Sequence, residues 1–84
     1  RRIPTSEFND YILPIMVDTP PPSIMGKYIR IKYAAQLPNP TPVFAFFVNL
    51  PQYIKDAYRR FLENKIREHW DFSGVPIQIY FRQK

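Results

Sequence analysis

The feature that most constrains the fold is residues 55–70, KDAYRRFLENKIREHW, which contain no glycine or proline. Their large apolar side chains recur every three or four residues, and this spacing predicts an amphipathic helix. Gly74 and Pro76 follow soon afterwards, as is typical beyond the end of a helix. A helix of about four turns is not stable alone in water, so its apolar side must pack against other elements of the chain.

A second helix is predicted near the N-terminus, with Thr5 or Ser6 as its cap. Pro14 lies within this segment and removes a backbone hydrogen bond at a cost of about 3 kcal/mol, so we expect a kink or an early end there. Residues 20–22, PPP, stop any helix and form an extended linker. The predicted apolar stripe of this helix comprises Phe8, Tyr11, Ile12, Ile15 and Met16.

Three segments have the composition of β-strands, namely residues 27–36, 43–48 and 76–82. The middle one, VFAFFV, is apolar throughout, which favours a central strand covered on both faces. The outer two alternate, so successive side chains should point to opposite faces of the sheet. One set comprises Ile29, Ile31, Tyr33, Ile77, Ile79 and Phe81; the other comprises Tyr28, Arg30, Lys32, Ala34, Gln78, Tyr80 and Arg82.

The predicted order is helix, strand, strand, helix, strand. The first two strands are close enough to pair antiparallel, whereas the helix between the second and third favours a parallel, right-handed crossover. We therefore predict an α+β fold in which two helices cover one face of a three-stranded mixed sheet, leaving the other face open. We expect residues 1–84 to form one domain, and the start at Arg1 rather than Met suggests a piece of a longer protein.

Composition narrows the functional classes. The chain has no cysteine, so disulfides and thiolate metal sites are excluded. No apolar run approaches the roughly 20 residues of a membrane-spanning helix. The single histidine, His69, lies at a predicted helix end, where a structural role is favoured, and no group of His, Asp and Glu has metal-ligand spacing. We predict no catalytic site, no metal site and no membrane partner.

The net charge of +5 is uneven, because residues 1–26 carry −1 and residues 27–84 carry +6. A basic domain favours an anionic partner, most often nucleic acid, although the same charge also serves solubility. Cations interleaved with aromatic rings on the open face suit RNA, since cations meet phosphates and rings stack on bases. The candidate phosphate-binding residues are Lys27, Arg30, Lys32, Arg59, Lys65 and Arg82, and the candidate stacking residues are Tyr28 and Tyr80.

Arg59 and Lys65 are included because they lack the favourable acidic residue four positions earlier that Arg60 and Arg67 have. Two other interpretations of the open face remain. Its apolar central strand is compatible with docking of a protein domain, and its cations with protection of edge strands against aggregation.

Six stretches resemble the C-terminal domain of the Der (EngA) GTPases, and together they cover nearly the whole chain in the correct order. They are residues 2–9 (RIPTSEFN), 20–27 (PPPSIMGK), 31–36 (IKYAAQ), 46–49 (FFVN), 58–68 (YRRFLENKIRE) and 74–82 (GVPIQIYFR). The resemblance implies a KH-like domain with a type II-like order of elements. It lacks the Gly-x-x-Gly loop with which KH domains clamp RNA, since the only glycines are Gly26 and Gly74.

The resemblance further implies a cytoplasmic parent GTPase with two tandem GTP-binding domains that are absent from this segment. GTP and Mg²⁺ would belong to those domains, and no cofactor is expected here. Large-subunit ribosomal RNA, within the 50S subunit, is the implied partner. As the alternative, the domain would be a docking module that packs on the neighbouring GTPase domain in a nucleotide-dependent way.

Overall fold

The computed structural model describes residues 2–84, and among them two α-helices cover a three-stranded sheet. The strand β2 (Val43–Val48) is central, pairing antiparallel with β1 (Ile31–Gln36) and parallel with β3 (Gln78–Gln83). The predicted α+β class, element order and mixed sheet are confirmed. Within this part of the chain, neither helix has the length and apolar character needed to cross a membrane. The elements are α1 (Thr5–Asp18), β1 (Ile31–Gln36), β2 (Val43–Val48), a one-turn 3₁₀ helix (Pro51–Tyr53), α2 (Asp56–His69) and β3 (Gln78–Gln83).

The hydrophobic core lies between the two helices and one face of the sheet, with Phe8 of α1 at its centre. The Phe8 ring stacks on Phe44 of β2 with centroids 4.8 Å apart, and it lies 5.9 Å from the Phe46 ring and 5.6 Å from the Trp70 ring. All four side chains are buried. Aromatic contacts at these distances add to the free energy gained from burying apolar area, so they tie α1, β2 and the end of α2 together.

The predicted N-cap of α1 is wrong, and so is the early end that was one of the two outcomes expected at Pro14. Pro4, not Thr5 or Ser6, is the N-cap residue, and its carbonyl accepts the first helical hydrogen bond from the Phe8 N–H at 3.0 Å. The helix also continues past Pro14 to Asp18. The bond that Pro14 removes would have ended on the carbonyl of Asp10. Both residues are exposed, so water can solvate that carbonyl and the helix tolerates the proline.

The side chain of Asn9 joins α1 to the free edge of β1. Its Nδ2 donates to the Ala34 carbonyl at 2.7 Å, and its Oδ1 accepts from the Ala34 N–H at 2.8 Å. Asn9 therefore pairs with Ala34 as a neighbouring strand would. Because Ala34 is fully buried, both backbone groups would otherwise be costly unsatisfied atoms.

The first strand is shorter than predicted, beginning at Ile31 and not at residue 27. The preceding backbone bonds the side chain of Asn49, whose Oδ1 accepts from the Arg30 N–H at 2.7 Å and whose Nδ2 donates to the Tyr28 carbonyl at 3.2 Å. Lys27 belongs to a tight turn, in which its backbone exchanges hydrogen bonds with Ile24. Local side-chain bonding thus replaces strand pairing over these residues.

A β-bulge in β1 overturns the predicted facing of its side chains. Ile31 pairs with Val48, and Tyr33 pairs with Phe47, so Lys32 is the extra residue. The bulge turns Ile31 towards the helices and Tyr33 towards the open face, although simple alternation placed them on the same side. Ala34, predicted on the open face, instead lies in the core.

The other two strands follow the predicted pattern. β2 covers residues 43–48 as expected, and only Phe47 among its residues is not fully buried. β3 is displaced slightly towards the C-terminus, running over 78–83 and not 76–82. Its alternation is confirmed, since Ile79 is buried in the core whereas Tyr80 and Arg82 are exposed.

Two tyrosine hydroxyls fasten the helices to neighbouring backbone. Tyr11 donates to the Lys65 carbonyl of α2 at 2.6 Å, and Tyr58 donates to the Thr19 carbonyl after α1 at 2.7 Å. Burial raises the pKa of Tyr58 to about 12. The pKa of Tyr11 is also raised, first by burial and then by the nearby Glu68 carboxylate.

We expect Asn9→Ala to destabilise the fold by about 2 kcal/mol or more, because it leaves a buried N–H and a buried C=O without partners. The measurement is the free energy of unfolding in urea. The same substitution at Asn64, which is exposed on α2, is the control and should change stability by less than about 0.5 kcal/mol. Equal effects of the two substitutions would contradict the role given to Asn9.

Alkaline pH should weaken the fold through Tyr58. An unfolded tyrosine titrates near pH 10, below the folded value of about 12, so the unfolded state loses its proton first. This contribution to stability is complete below about pH 10 and is lost as the pH rises through about 12. Urea midpoints across this range should fall less steeply for Tyr58→Phe than for the unmodified chain. Tyr28→Phe, which removes an exposed hydroxyl, tests whether the effect belongs to the buried one.

Candidate nucleic-acid interface

The face of the sheet opposite the helices carries two rows of side chains set by the strand registers. The first row is Tyr33, Phe47 and Arg82, and the second is Ala35, Ala45 and Tyr80. The Tyr33 and Phe47 rings stack with centroids 4.6 Å apart and planes 21° from parallel. Both rings are partly exposed, so they form an aromatic surface that solvent reaches. We call the six residues of these two rows the aromatic platform.

Two cations lie next to rings of the aromatic platform, one of them within it and the other at its border. The Arg82 guanidinium lies 5.9 Å from the centre of the Tyr80 ring, and Lys84 Nζ lies 5.4 Å from the centre of the Tyr33 ring. The Lys84 backbone N–H donates to the Val48 carbonyl at 3.0 Å, which holds this residue beside β2. Such cation–π distances are attractive, and they keep positive charge next to exposed rings.

Charge divides between the two layers of the domain. All seven acidic residues lie in residues 7–18 and 56–71, that is, in the helices and just after α2. The segments 19–55 and 72–84, which build the sheet and its approaches, carry six basic residues and no acidic one. The net positive charge of the domain therefore belongs to the sheet and not to the helices.

The basic residues of α2 are engaged by acids of the same helix. Arg59 and Arg60 both pair with Asp56, and Lys65 Nζ lies 3.6 Å from a Glu68 carboxylate oxygen. Arg59 and Lys65, expected to have less clear partners than Arg60 and Arg67, are thus also paired, because pairs spaced by three residues close on a helix as well. The hydrogen bond from Arg59, together with the charges of Arg59 and Arg60, holds the pKa of Asp56 below its usual value.

Arg67 has a structural role, because its guanidinium bonds the turn that follows α2. It bonds Glu63 at 3.2 Å, and its guanidinium also donates to the carbonyls of Phe72 and Val75 at 2.9 and 2.7 Å. These bonds fasten the turn that leads into β3. Gly74 lies in this turn with φ of 72°, a conformation that glycine adopts without strain.

The remaining predicted residues lie along the approach to β1 and not on the aromatic platform. Lys27 and Tyr28 precede the strand, and Tyr28 is 74% exposed. Arg30 lines a groove on the helix side of the sheet, and Lys32 is the exposed extra residue of the bulge. Of the predicted sites, only Arg82 and Tyr80 lie on the platform itself. Among the residues that the structure describes, none of these four approach residues forms an ion pair.

Sequence reasoning missed Tyr33, Phe47 and Lys84 as site residues. Extending the alternation of the third strand by two residues would have placed Lys84 beside Arg82. Phe47 was missed because the second strand is apolar at every position, so its sequence does not indicate which side chains face the open side. Tyr33 had no usable signal, because the bulge that reverses its facing leaves no mark in the local composition.

The groove lined by Arg30 is the second notable surface. It has a volume of about 320 Å³ and lies between the end of α1, the proline linker and the start of β1. Its wall is largely apolar, and Val17 in it is 81% exposed. The lining residues are Leu13, Met16, Val17, Pro20, Pro21, Ile29, Arg30 and Ile31.

Comparison with known proteins decides the family. A family model described as the KH-domain-like part of EngA bacterial GTPase enzymes, C-terminal, matches residues 2–82. The chain belongs to this family. The KH-like assignment agrees with the α-β-β-α-β order, and the matched part of these enzymes is the KH-like domain and not a GTP-hydrolysing one.

Individual relatives agree with this assignment. The chain is 66% identical over 84 residues to a GTPase Der of Flavobacterium psychrophilum and 60% identical over 84 residues to that of Flavobacterium johnsoniae. It is 60% identical over 83 residues to the GTPase Der of Porphyromonas gingivalis. The alignments cover 99–100% of the chain but only 19% of each relative, so this KH-like chain spans about a fifth of their length.

Proposed function

We propose that this KH-like domain is a non-catalytic RNA-binding module of a GTPase that acts in biogenesis of the large ribosomal subunit. The observation that supports this most is the excess of positive charge in segments 19–55 and 72–84, which carry six basic residues and no acidic one. The proposed partner is large-subunit ribosomal RNA within the 50S subunit, which places the whole protein in the cytoplasm. GTP and Mg²⁺ would be bound by other domains of the whole protein.

Phosphate groups need cations that are not already committed to carboxylates. Lys27, Arg30, Lys32, Arg82 and Lys84 all lie in segments without acidic residues. Binding of a polyanion to these side chains releases counterions, and the released ions supply most of the non-specific affinity. Residues 56–71, which are α2 and the two residues after it, carry four basic and four acidic residues and so have no net charge to contribute.

The usual KH mode of RNA binding does not apply here, because that mode depends on a Gly-x-x-Gly loop. The proposed contact instead uses the sheet face and its edges. Arg59 and Lys65, the predicted helix contributors, would first have to give up Asp56 and Glu68.

We expect Arg82→Gln with Lys84→Gln to lower the salt dependence of binding to a structured ribosomal RNA segment. Loss of two phosphate contacts should reduce the slope of log K against log salt by about 1.5. The matched comparison is Arg59→Gln with Arg60→Gln, which removes the same charge from α2 and should leave the slope unchanged. Fluorescence anisotropy at several salt concentrations measures both. A slope that changes for the helix pair and not for the sheet pair would place the RNA site on α2.

The apolar groove favours a second candidate function, docking on the neighbouring GTPase domain. An exposed apolar surface on a small domain often marks a protein contact. Val17 is far more exposed than is common for a valine, and its neighbours in the groove are apolar. Docking of this kind would depend on the nucleotide state of the GTPase domain and only weakly on salt.

For this second candidate we expect Val17→Asp to weaken binding to the neighbouring GTP-binding domain by about fivefold or more, because it puts a charge into an apolar contact. Affinity would be measured by titration calorimetry with that domain loaded with GDP or with GTP. Ser23→Asp adds the same charge outside the groove and is the control. If the two substitutions weakened binding equally, the effect would come from long-range electrostatics, and the groove would not be part of the interface.

A further inference from the structure

The aromatic platform has a composition that phosphate binding alone does not require. We propose that the platform binds unpaired nucleotides of single-stranded RNA, with a base stacked on the Tyr33–Phe47 pair and phosphates held by Arg82 and Lys84. This inference rests on the proposed RNA-binding function and names the class of RNA that this face selects.

The first support is the geometry of the rings. Tyr33 and Phe47 lie nearly parallel and partly exposed on a face that neither helix covers. Tyr80, 46% exposed, stands in the next row on the far side of Ala45. The two alanines of that row have short side chains, so the surface between the Tyr33–Phe47 pair and Tyr80 lies lower than the rings. Planar bases stack on such exposed rings whatever their sequence.

The second support is the position of the cations relative to the rings. Arg82 is the register partner of Phe47, and its guanidinium lies near the Tyr80 ring, whereas Lys84 Nζ lies near the Tyr33 ring. Positive charge therefore borders the platform beside the rings on which bases would stack. No acidic residue occurs in the segments that build this face. A nucleotide stacked on the rings would meet a cation and no carboxylate of these segments.

A base-paired helix makes a poorer occupant. The bases of duplex RNA are stacked within the helix, and proteins contact it through phosphates and 2′-hydroxyls. Binding of duplex RNA would therefore use the cations of this face but would not use its aromatic rings. The rings also stabilise the sheet as a cross-strand pair, and the experiment must separate that role from binding.

The experiment compares two fluorescent probes on the 84-residue chain: a single-stranded oligoadenylate of about ten nucleotides and the same strand annealed to oligouridylate. Tyr33→Leu keeps an apolar side chain but removes the ring. It should weaken binding of the single strand by about fivefold or more, and it should leave duplex binding unchanged within about twofold. Tyr33→Phe keeps the ring and should bind as the unmodified chain does. Phe47→Leu should repeat the effect of Tyr33→Leu.

Stability and a spectroscopic signature keep the test independent of a merely structural role. Urea unfolding of each variant shows whether the fold survives the substitution. In the unmodified chain, NMR signals of the adenine base protons should move upfield on binding, as expected for bases stacked on aromatic rings. Tyr53→Leu, which removes a partly exposed ring in the 3₁₀ helix outside the platform, is the matched control and should leave single-strand affinity unchanged.

The outcomes separate the two levels of the proposal. Salt-dependent binding of both probes that Tyr33→Leu does not weaken, or base protons that do not shift, would overturn stacking and leave the RNA-binding function standing. Failure of the unmodified chain to bind either probe, or ribosomal RNA, at low salt would overturn both.

Discussion

The β-bulge between Ile31 and Tyr33 is the constraint on which the arrangement of this domain depends. Without it, Ile31 and Tyr33 would share a face, and either an aromatic ring would enter the core or an isoleucine would face solvent. With it, Ile31 packs towards the core and lines the groove, Tyr33 stacks on Phe47, and Ala34 enters the core beside Asn9. The extra residue Lys32 thus places Ile31 on the helix side of the sheet and Tyr33 on the open face.

The residues that carry the charge of this domain are largely different from those that stabilise its fold. Basic residues of α2 pair with acids of their own helix or, like Arg67, fasten a turn. The sheet layer is held by the aromatic core and by the asparagine side chains that bond its backbone, and its cations do not contribute to those contacts. Removing the RNA-binding charges that we propose would therefore cost only the surface cation–π contacts of Arg82 with Tyr80 and of Lys84 with Tyr33. Surface ion pairs such as those of Asp56 are screened by solvent, so the helix charges matter little to stability too.

The sequence was sufficient to predict the architecture, because hydrophobic periodicity is strong in α2, β2 and β3. Phe8, Leu62 and Ile79 face the core where their spacing placed them. The errors have local causes. Pro14 is tolerated because the carbonyl that it leaves unpaired belongs to the exposed Asp10. The start of β1 is set by Asn49, which is distant in sequence. Hydrophobic periodicity predicts neither effect, because each depends on where a single polar group lies in the folded chain.

The candidate site was less predictable for a related reason. Composition singled out Arg82 and Tyr80, whose strand alternates regularly and which lie exposed on the aromatic platform. It misplaced Arg30, because the residues before Ile31 are not in a strand, and it missed Tyr33, because register and not composition decides the face of an aromatic residue. Arg59 and Lys65 looked free because only the spacing of four residues was considered, whereas a helix also closes pairs at three.

The two surfaces proposed for binding meet at the bulge. Ile31 and Arg30 line the groove on the helix side, whereas Tyr33, two residues further along, stands on the opposite face. A protein domain in the groove and an RNA strand on the platform would therefore not exclude each other by direct overlap. They would instead contact successive residues of one strand, with the exposed Lys32 between them. Because a bulge is fixed by the pairing on either side of it, a partner that altered the pairing of Ile31 with Val48 would also act on the seating of Tyr33 against Phe47. The two candidate functions are thus compatible in one domain, and the two surfaces are connected through the backbone of β1.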